Sequence, residues 1–411
     1  MIQFERFTLA NGLRVLFHNE PSTPMAVANV LYDVGARDEN PNQTGFAHLF
    51  EHLMFGGSKH IPDFDAPLQA AGGQSNAFTS NDITNYYDVL PAHNLDTALW
   101  LESDRMLSLA FTPKSLEVQR QVVIEEFKQR YLNQPYGDAW LHLRPLAYKK
   151  HPYRWATIGK NIEHIETATM DDVRAFFAQH YHPGNAILCI VGNFDLNFVK
   201  EKVDYYFGNI PGKEKIIRNL PQEPKQQRFR KKIISRKIPS DAFYYAFPMG
   251  GRMDASYYLA DLLSDHIANE KTGLLYTELQ RKKKLVSEIT AYITGSLDNG
   301  LFVITGKLNP GRTFEQLDAA LWQTLDKYTS RPISKSVLEE LLLKMQTAKA
   351  FQDQGLLNRA MNLCFFELLG DAQFLNEEAD HYARIQPAQL QHFAKAIFSK
   401  NRCSLLQIQA K

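Results

Sequence analysis

Apolar and polar residues alternate in short blocks along the first half of the chain, and these blocks predict a mixture of strands and helices. Short apolar runs or a period of two residues predict strands over 13–18, 25–34, 74–79, 84–90 and 186–191. Apolar positions that recur every three to four residues predict helices over 45–55, 95–107 and 116–131. Thr44 is the predicted N-cap of the first helix, and Gly56 and Gly57 are predicted to end it. The fold class that follows is α+β, with an antiparallel-rich sheet covered by helices.

A faint internal repeat indicates that the chain contains two related halves. Residues 95–100 read Leu-Asp-Thr-Ala-Leu-Trp, and residues 317–322 read Leu-Asp-Ala-Ala-Leu-Trp. A second match, between 114–116 and 335–337, lies nearly in register with the first, and a helical pattern follows each copy. Duplication therefore explains the matches better than chance does.

The predicted seam between the halves is residues 210–228, which are polar, basic and interrupted by proline. Such a composition is typical of a linker. We therefore predict two tandem homologous domains, at 1–209 and 229–411, joined by a linker at 210–228.

Composition excludes several classes of protein. Of the 411 residues, 44% are hydrophobic and 22% are charged, which is a globular balance. The formal net charge is only +1, so no global attraction to nucleic acid or to an anionic membrane is expected. The run 186–191 is far shorter than a membrane span, and the N-terminus lacks a signal pattern, so we expect a cytoplasmic location. The three cysteines are predicted to be small buried hydrophobes rather than a disulfide framework.

One segment carries a pattern suited to metal chemistry. His48 and His52 are four residues apart on a predicted helix, so both imidazoles lie on one face and can bind the same ion. Glu51 lies near that face and completes an H-x-x-E-H motif, the inverted form of the zincin motif. Two imidazoles and one carboxylate, with one position left for water, form the ligand set of a catalytic zinc. Most histidines are structural or solvated, but this pattern is expected by chance only about 0.02 times in such a chain.

A zinc site of this kind needs a third protein ligand, and two adjacent carboxylates on a later helix are the candidates. The apolar face of that helix is centred between Val123 and Phe127. Glu126 lies at the margin of this face, whereas Glu125 lies nearly opposite its centre and fits a solvated carboxylate. We therefore choose Glu126 as the third ligand.

The second half offers no equivalent set of ligands. At the repeat offset of 222 residues, the positions that match His48, Glu51, His52 and Glu126 are Glu270, Gly273, Leu274 and Ala348. The prediction is therefore one Zn²⁺ per chain, held by the first domain.

Together these residues resemble the zinc peptidases of the pitrilysin, insulin-degrading enzyme and mitochondrial processing peptidase family. The resemblance covers essentially the whole chain, and its motifs stand in the family's order. The motifs are residues 9–13, 48–52, 76–80, 84–87, 102–106, 122–126, 151–153 and 181–185. In the family the third zinc ligand is a glutamate about 75 residues after the motif, which agrees with Glu126.

The resemblance implies a zinc-dependent endopeptidase in which Glu51 acts as the general base. The strand over 74–79 follows two glycines, which let another backbone approach, so an extended peptide can add to its edge. In the family this strand binds substrate, and the positions that match Asn76, Ala77 and Phe78 line the cleft. The alternative is an ordinary edge strand with Phe78 in the core.

Two departures from the family pattern bear on activity. The family usually has a glutamate seven residues before the third ligand, where this chain has Gln119, a candidate for tuning the metal site. Active members also carry an arginine and a tyrosine, seven residues apart, that project across a chamber and stabilise the transition state. The matching positions are Gln280 and Ser287, with Arg281 one position away.

These departures leave two questions of function open. Family members of this length form half of a clamshell, and a second chain closes the chamber around a peptide. We expect a heterodimer in which a homologous subunit supplies the arginine and tyrosine; the alternative is a homodimer that uses Arg281. A non-catalytic metal-binding or assembly subunit is the alternative function, although such chains usually lose the H-x-x-E-H motif that this chain keeps.

Overall fold

The computed structural model describes residues 1–215, 217–269 and 271–411, which form two compact units. The first unit contains Met1–Phe127, Trp155–Leu220 and Lys349–Glu378, and the second contains Lys128–Arg154, Pro221–Ala348 and Ala379–Lys411. The main change of unit, after Leu220, lies within the predicted linker. The predicted domains at 1–209 and 229–411 differ from these units, because each unit takes one segment from the other half of the chain.

A single mixed sheet forms the centre of the first unit. Its strands are β1 (Glu5–Thr8), β2 (Arg14–Asn19), β3 (Met25–Tyr32), β4 (Gln74–Thr79), β5 (Thr84–Pro91) and β6 (Ala186–Gly192). They lie in the order β1-β2-β6-β3-β5-β4, and every neighbouring pair is antiparallel except β2 and β6. The apolar strand β6 is buried along its whole length, as its composition predicts. Strand β1 is the one element of this sheet that the hydrophobic pattern did not predict.

The second unit repeats this strand order. Its strands are β7 (Arg230–Arg236), β8 (Ala242–Pro248), β9 (Val286–Ile293), β10 (Leu301–Leu308) and β11 (Ser404–Ala410). They lie in the order β7-β11-β8-β10-β9, and the parallel pair is β7 and β11. Each strand therefore has a counterpart in the first sheet, from β2 to β6. The prediction of two homologous, antiparallel-rich domains is confirmed.

Helices surround both sheets. In the described residues they are α1 (Phe46–Leu53), α2 (Asp65–Ala70), α3 (Leu95–Leu107), α4 (Pro113–Phe127), α5 (Ala139–Ala147), α6 (Glu163–Glu166), α7 (Met170–His180), α8 (Leu196–Phe207), α9 (Tyr257–Ser264), α10 (Phe314–Thr329), α11 (Lys335–Gln352), α12 (Leu356–Leu369), α13 (Phe374–Ala383) and α14 (Pro387–Ile397). None of them has the length and apolar character that a membrane crossing requires.

The exchanged segments cover the apolar faces of the sheets, which is the physical reason for the exchange. In the first unit, α12 packs across β3 and β6, and its buried Leu363 and Cys364 join a core cluster with Val27 and Cys189. In the second unit, α5 packs on β7, β8 and β11. A sheet needs apolar partners on its buried face, and here each face is covered by a helix that is distant in sequence.

The order of elements also corrects the alignment of the two halves. The offset of 222 residues pairs His48 with Glu270, which lies outside the described residues. By position between strands, however, the counterpart of α1 is α9, because α1 follows β3 and α9 follows β8. The loops differ in length between the halves, so one offset cannot align both the early and the late helices.

Candidate metal centre

Two helices of the first unit bring three candidate ligands together. His48 and His52 lie on α1 with their ring centroids 4.8 Å apart. Glu126 lies on α4, which packs against α1. The Nε2 atom of His52 is 3.3 Å from Oε2 of Glu126, and Nε2 of His48 is 3.6 Å from the same oxygen. Both imidazoles therefore point at one carboxylate oxygen from a shared helix face.

The spacing of these atoms fits a zinc ion. Tetrahedral ligands that bind zinc at about 2.0–2.1 Å are separated from each other by roughly 3.3–3.4 Å. One ligand atom from each of the three residues lies within 4.8 Å of the others. Among the described residues, no other group of three or more His, Cys, Asp and Glu side chains meets that spacing. Donor type and distance thus both suit zinc, and the described residues offer one such centre.

The two adjacent carboxylates of α4 differ as the helix-face argument predicts. Val123 and Phe127 are buried, which orients the helix. Glu126 is half-buried with its carboxylate at the histidines, whereas Glu125 is exposed. Of the two, Glu126 is the one that the fold brings to the metal centre.

Glu51 shares α1 with the histidines and lies beside buried phenols. Its side chain is half-buried. Burial raises the pKa values of Tyr86 and Tyr181, and the negative charge of Glu51 adds to this effect in both. These tyrosines remain neutral hydroxyls at physiological pH. The carboxylate of Glu51 therefore lies close to two phenols that carry no negative charge.

The first turn of α1 is built differently from the prediction. Thr44 is not the N-cap: its hydroxyl contacts Nδ1 of His164 at 2.8 Å. The cap position belongs to Gly45, which has a φ of 93°, in the left-handed region that favours glycine. A Cβ atom at Gly45 would lie 2.7 Å from the carbonyl oxygen of Ile158, so a larger residue does not fit. The sequence predicts that the helix ends at residue 55, and α1 ends two residues earlier, at Leu53.

Sequence reasoning missed the group that satisfies this first turn. The carboxylate of Glu39 accepts hydrogen bonds from the backbone N–H groups of Gly45 and Ala47, each at 2.9 Å. Glu39 lies outside the helix and outside any local capping pattern. No short-range signal in the sequence could have assigned it.

The predicted substrate strand is the edge strand β4, which lies beside α1. The side chains of Asn76 and Phe78 are exposed, and Ala77 is half-buried. Phe78 is 39% exposed, so its placement in the core is wrong, whereas the choice between a substrate strand and an ordinary edge strand stays a prediction. The strand thus presents an unpaired edge and two exposed side chains next to the helix that carries the histidines.

The positions that depart from the family pattern are also located. Gln119 is half-buried on α4, and its Nε2 lies 4.0 Å from the site of a Cβ at Gly56. In the second unit, Nε2 of Gln280 donates a hydrogen bond to the carbonyl oxygen of Ser287 at 2.7 Å. The seven-residue spacing therefore does bring Gln280 and Ser287 together, and Arg281 is exposed next to them.

Comparisons with known proteins identify the family to which this chain is similar. A family model described as Insulinase (Peptidase family M16) matches residues 14–154, and a model described as Peptidase M16 inactive domain matches residues 167–345. The zinc protease PqqE of Helicobacter pylori is 31% identical over 350 residues, which are 83% of this chain and 78% of that protein.

Solved structures extend the similarity to the whole chain. The crystal structure of a protease from Helicobacter pylori matches with a TM-score of 0.94 and 27% identity, over 100% of both chains. The crystal structure of pitrilysin matches with a TM-score of 0.80 and 19% identity, over 100% of this chain and 45% of that one. The chain belongs to peptidase family M16.

Proposed function

We propose that the chain is the zinc-bearing subunit of an endopeptidase that hydrolyses peptides or unfolded segments. The observation that carries the proposal is the convergence of His48, His52 and Glu126, within reach of one ion and with Glu51 on the same helix. Membership of a peptidase family and similarity to a named zinc protease support the same activity.

The side chains divide the work of hydrolysis between them. Zinc, when bound by His48, His52 and Glu126, supplies Lewis-acid chemistry that polarises a carbonyl and acidifies water. Glu51 accepts a proton from the attacking water at its carboxylate and passes it to the leaving amine. The edge of β4 holds an extended peptide through backbone hydrogen bonds, with Asn76, Ala77 and Phe78 in contact with it.

The variant Glu51→Gln tests the mechanism. Gln has nearly the same shape but cannot accept the proton, so zinc stoichiometry should be unchanged while cleavage falls by at least the 10²-fold typical of losing a general base. Zinc content is measured by atomic absorption and cleavage with a quenched fluorescent peptide. Full activity in the zinc-loaded variant would contradict the proposed role of Glu51.

We further propose that the active species is a heterodimer with a homologous subunit. This chain matches 45% of the pitrilysin chain, so a second chain of the same fold would give a comparable length. Gln280 carries no positive charge for an oxyanion, and the Ser287 hydroxyl is shorter in reach than a phenol. Loss of one oxyanion donor costs about 10²–10³ in rate. A partner that supplies arginine and tyrosine would restore that contribution.

Purification of the chain alone tests the need for a partner. The zinc-loaded protein is assayed with unstructured peptides, with and without a candidate subunit that has the arginine–tyrosine pair. Turnover should rise by about 10²-fold or more when the candidate is added. Robust turnover by the chain alone, abolished in Arg281→Ala and unchanged by the candidate, would favour the homodimer.

The second candidate function is a non-catalytic metal-binding or assembly subunit. The match of residues 167–345 to a domain described as inactive favours it, as do Gln280 and Ser287. A chain that binds zinc and peptide, but cleaves nothing with any homologous partner, would have this function.

A further inference from the structure

Glu39 is a buried carboxylate outside the candidate metal centre. It binds the first turn of α1, the helix that carries His48 and His52. Glu39 is 5% exposed. Its carboxylate accepts the backbone N–H groups of Gly45 and Ala47 at 2.9 Å each, and the indole Nε1–H of Trp155 at 3.1 Å. These three donors surround both carboxylate oxygens, so the side chain connects α1 to the segment that begins at Trp155.

The first turn of α1 needs an acceptor of this kind. The first N–H groups of a helix have no partner within the helix, and together they carry a partial positive charge. Gly45 at the cap position has no side chain to accept them. Burial raises the pKa of Glu39, whereas the hydrogen bonds from Gly45, Ala47 and Trp155 lower it, because these three groups only donate and so favour the ionised carboxylate. The carboxylate and the turn therefore depend on each other.

Glu39 belongs to the loop 33–39, which ion pairs and hydrogen bonds hold in place. Asp33 accepts a hydrogen bond from Arg37 at 3.2 Å and forms an ion pair with Arg218 at 2.8 Å. Arg218 also contacts Asp38 at 2.5 Å, directly before Glu39 in sequence. Side chains of this loop are almost fully buried, so breaking a pair would leave an uncompensated charge. These ion pairs fix the backbone next to Glu39, so they also fix the point from which its side chain extends to α1.

We propose that Glu39 is a positioning residue for the metal centre. It holds the N–H of Ala47, the residue directly before His48, and so sets where the His48 imidazole lies relative to Glu126. His52 lies in the last turn of α1, so loosening of the first turn should move it less than it moves His48. The inference rests on the proposed function only in taking His48, His52 and Glu126 as zinc ligands.

Zinc affinity separates positioning from general stability. The zinc dissociation constant is measured by competition with a chromophoric chelator, well below the unfolding temperature, for Glu39→Ala and for a matched control. The control is Glu367→Ala, another buried carboxylate of the first unit, which pairs with Arg6 at 2.8 Å and accepts the N–H of Ala372 at 3.2 Å.

Glu39→Ala should weaken zinc binding about 10-fold to 100-fold, the range seen when an outer support of a ligand is lost. Glu367→Ala should change it by less than about 3-fold while lowering the melting temperature. Glu39→Gln keeps one acceptor oxygen, so its affinity should be intermediate; it also carries the test if Glu39→Ala does not fold. Equal losses of affinity in the two alanine variants would overturn the inference.

Histidine NMR of the zinc-free protein provides an arm that does not depend on metal. In Glu39→Ala the ring signals of His48 should shift or broaden more than those of His52. If the unsubstituted protein bound no zinc, the proposed function would fail, and this arm alone would decide the role of Glu39. Unchanged His48 signals, or equal changes at both histidines, would overturn it.

Discussion

Helices α1 and α9 lie at the same place in the strand order of the two units but differ in the polarity of their side chains. Each has eight residues and follows the equivalent strand, β3 or β8. Helix α1 carries His48, Glu51 and His52 outside its buried residues, whereas α9 contains no histidine and buries Leu262 and Leu263. The candidate catalytic groups of the first unit therefore have no histidine counterpart on the helix at the same place in the second unit.

Burial explains what this difference means. Leu262 and Leu263 are almost completely buried in the core of the second unit. His48 and His52, in contrast, keep 12% and 23% of their side chains exposed. The second unit forms the same strand order with a helix that has no imidazole, so this fold does not require one there. The comparison indicates that the candidate metal ligands are a feature of the first unit and that the shared fold does not depend on them.

Truncation of one side chain in each of these two helices should show the largest contrast. Leu263→Ala should cost the second unit about 2–5 kcal/mol of unfolding free energy, because it leaves a cavity in a packed core. His52→Ala in the zinc-free protein should cost less than about 1 kcal/mol, because the side chain is partly solvated. Hydrogen exchange at β8 and β3 during denaturant titration reports the two units separately. Equal costs would mean that the histidine helix is structural.

Substitution of adjacent carboxylates should sharpen the contrast within one helix. Glu126→Gln should weaken zinc binding by more than about 100-fold, since a direct ligand contributes more than an outer partner. Glu125→Gln should change it by less than about 2-fold, because that carboxylate is exposed and is not in the group that meets the metal-ligand spacing. Zinc retained after dialysis, measured by atomic absorption, checks both. The opposite ranking would refute Glu126 as the third ligand.

Removal of zinc should have the smallest effect, and only in one unit. A bound ligand stabilises the folded state by mass action, and chelation removes that contribution. Hydrogen exchange should therefore speed up in α1 and α4 after chelation, while α9 and its neighbours stay unchanged. Matching changes in both units would show that the metal supports the whole fold.

Local patterns of apolar and polar residues predicted individual helices and strands. The helix at Leu95–Leu107 and the strand at Gln74–Thr79 have the predicted limits. The three candidate ligands follow from spacing along α1 and from the apolar face of α4. The same periodicity could not show which sheet the later helix α12 would cover, because that choice depends on contacts between residues distant in sequence.

The errors at the start of α1 have a related cause. Thr44 precedes a helix and has the right chemistry for a cap, so local reasoning selected it. The fold instead places Gly45 in a left-handed conformation and brings Glu39 and Trp155 to the turn. A cap supplied across a loop leaves no periodic mark in the sequence, and only the folded chain reveals it.

The exchange of segments between the units constrains how this protein is synthesised. The first unit needs residues 349–378, yet the ribosome must add 128 residues, 221–348, after the first 220 before it reaches them. At 5–20 residues per second this takes roughly 6–26 s. During that time the face of the first sheet that α12 later covers, including Val27 and Cys189, has no partner. The nascent chain is therefore a natural client for chaperones that bind apolar strands, and the first unit can close only near the end of translation.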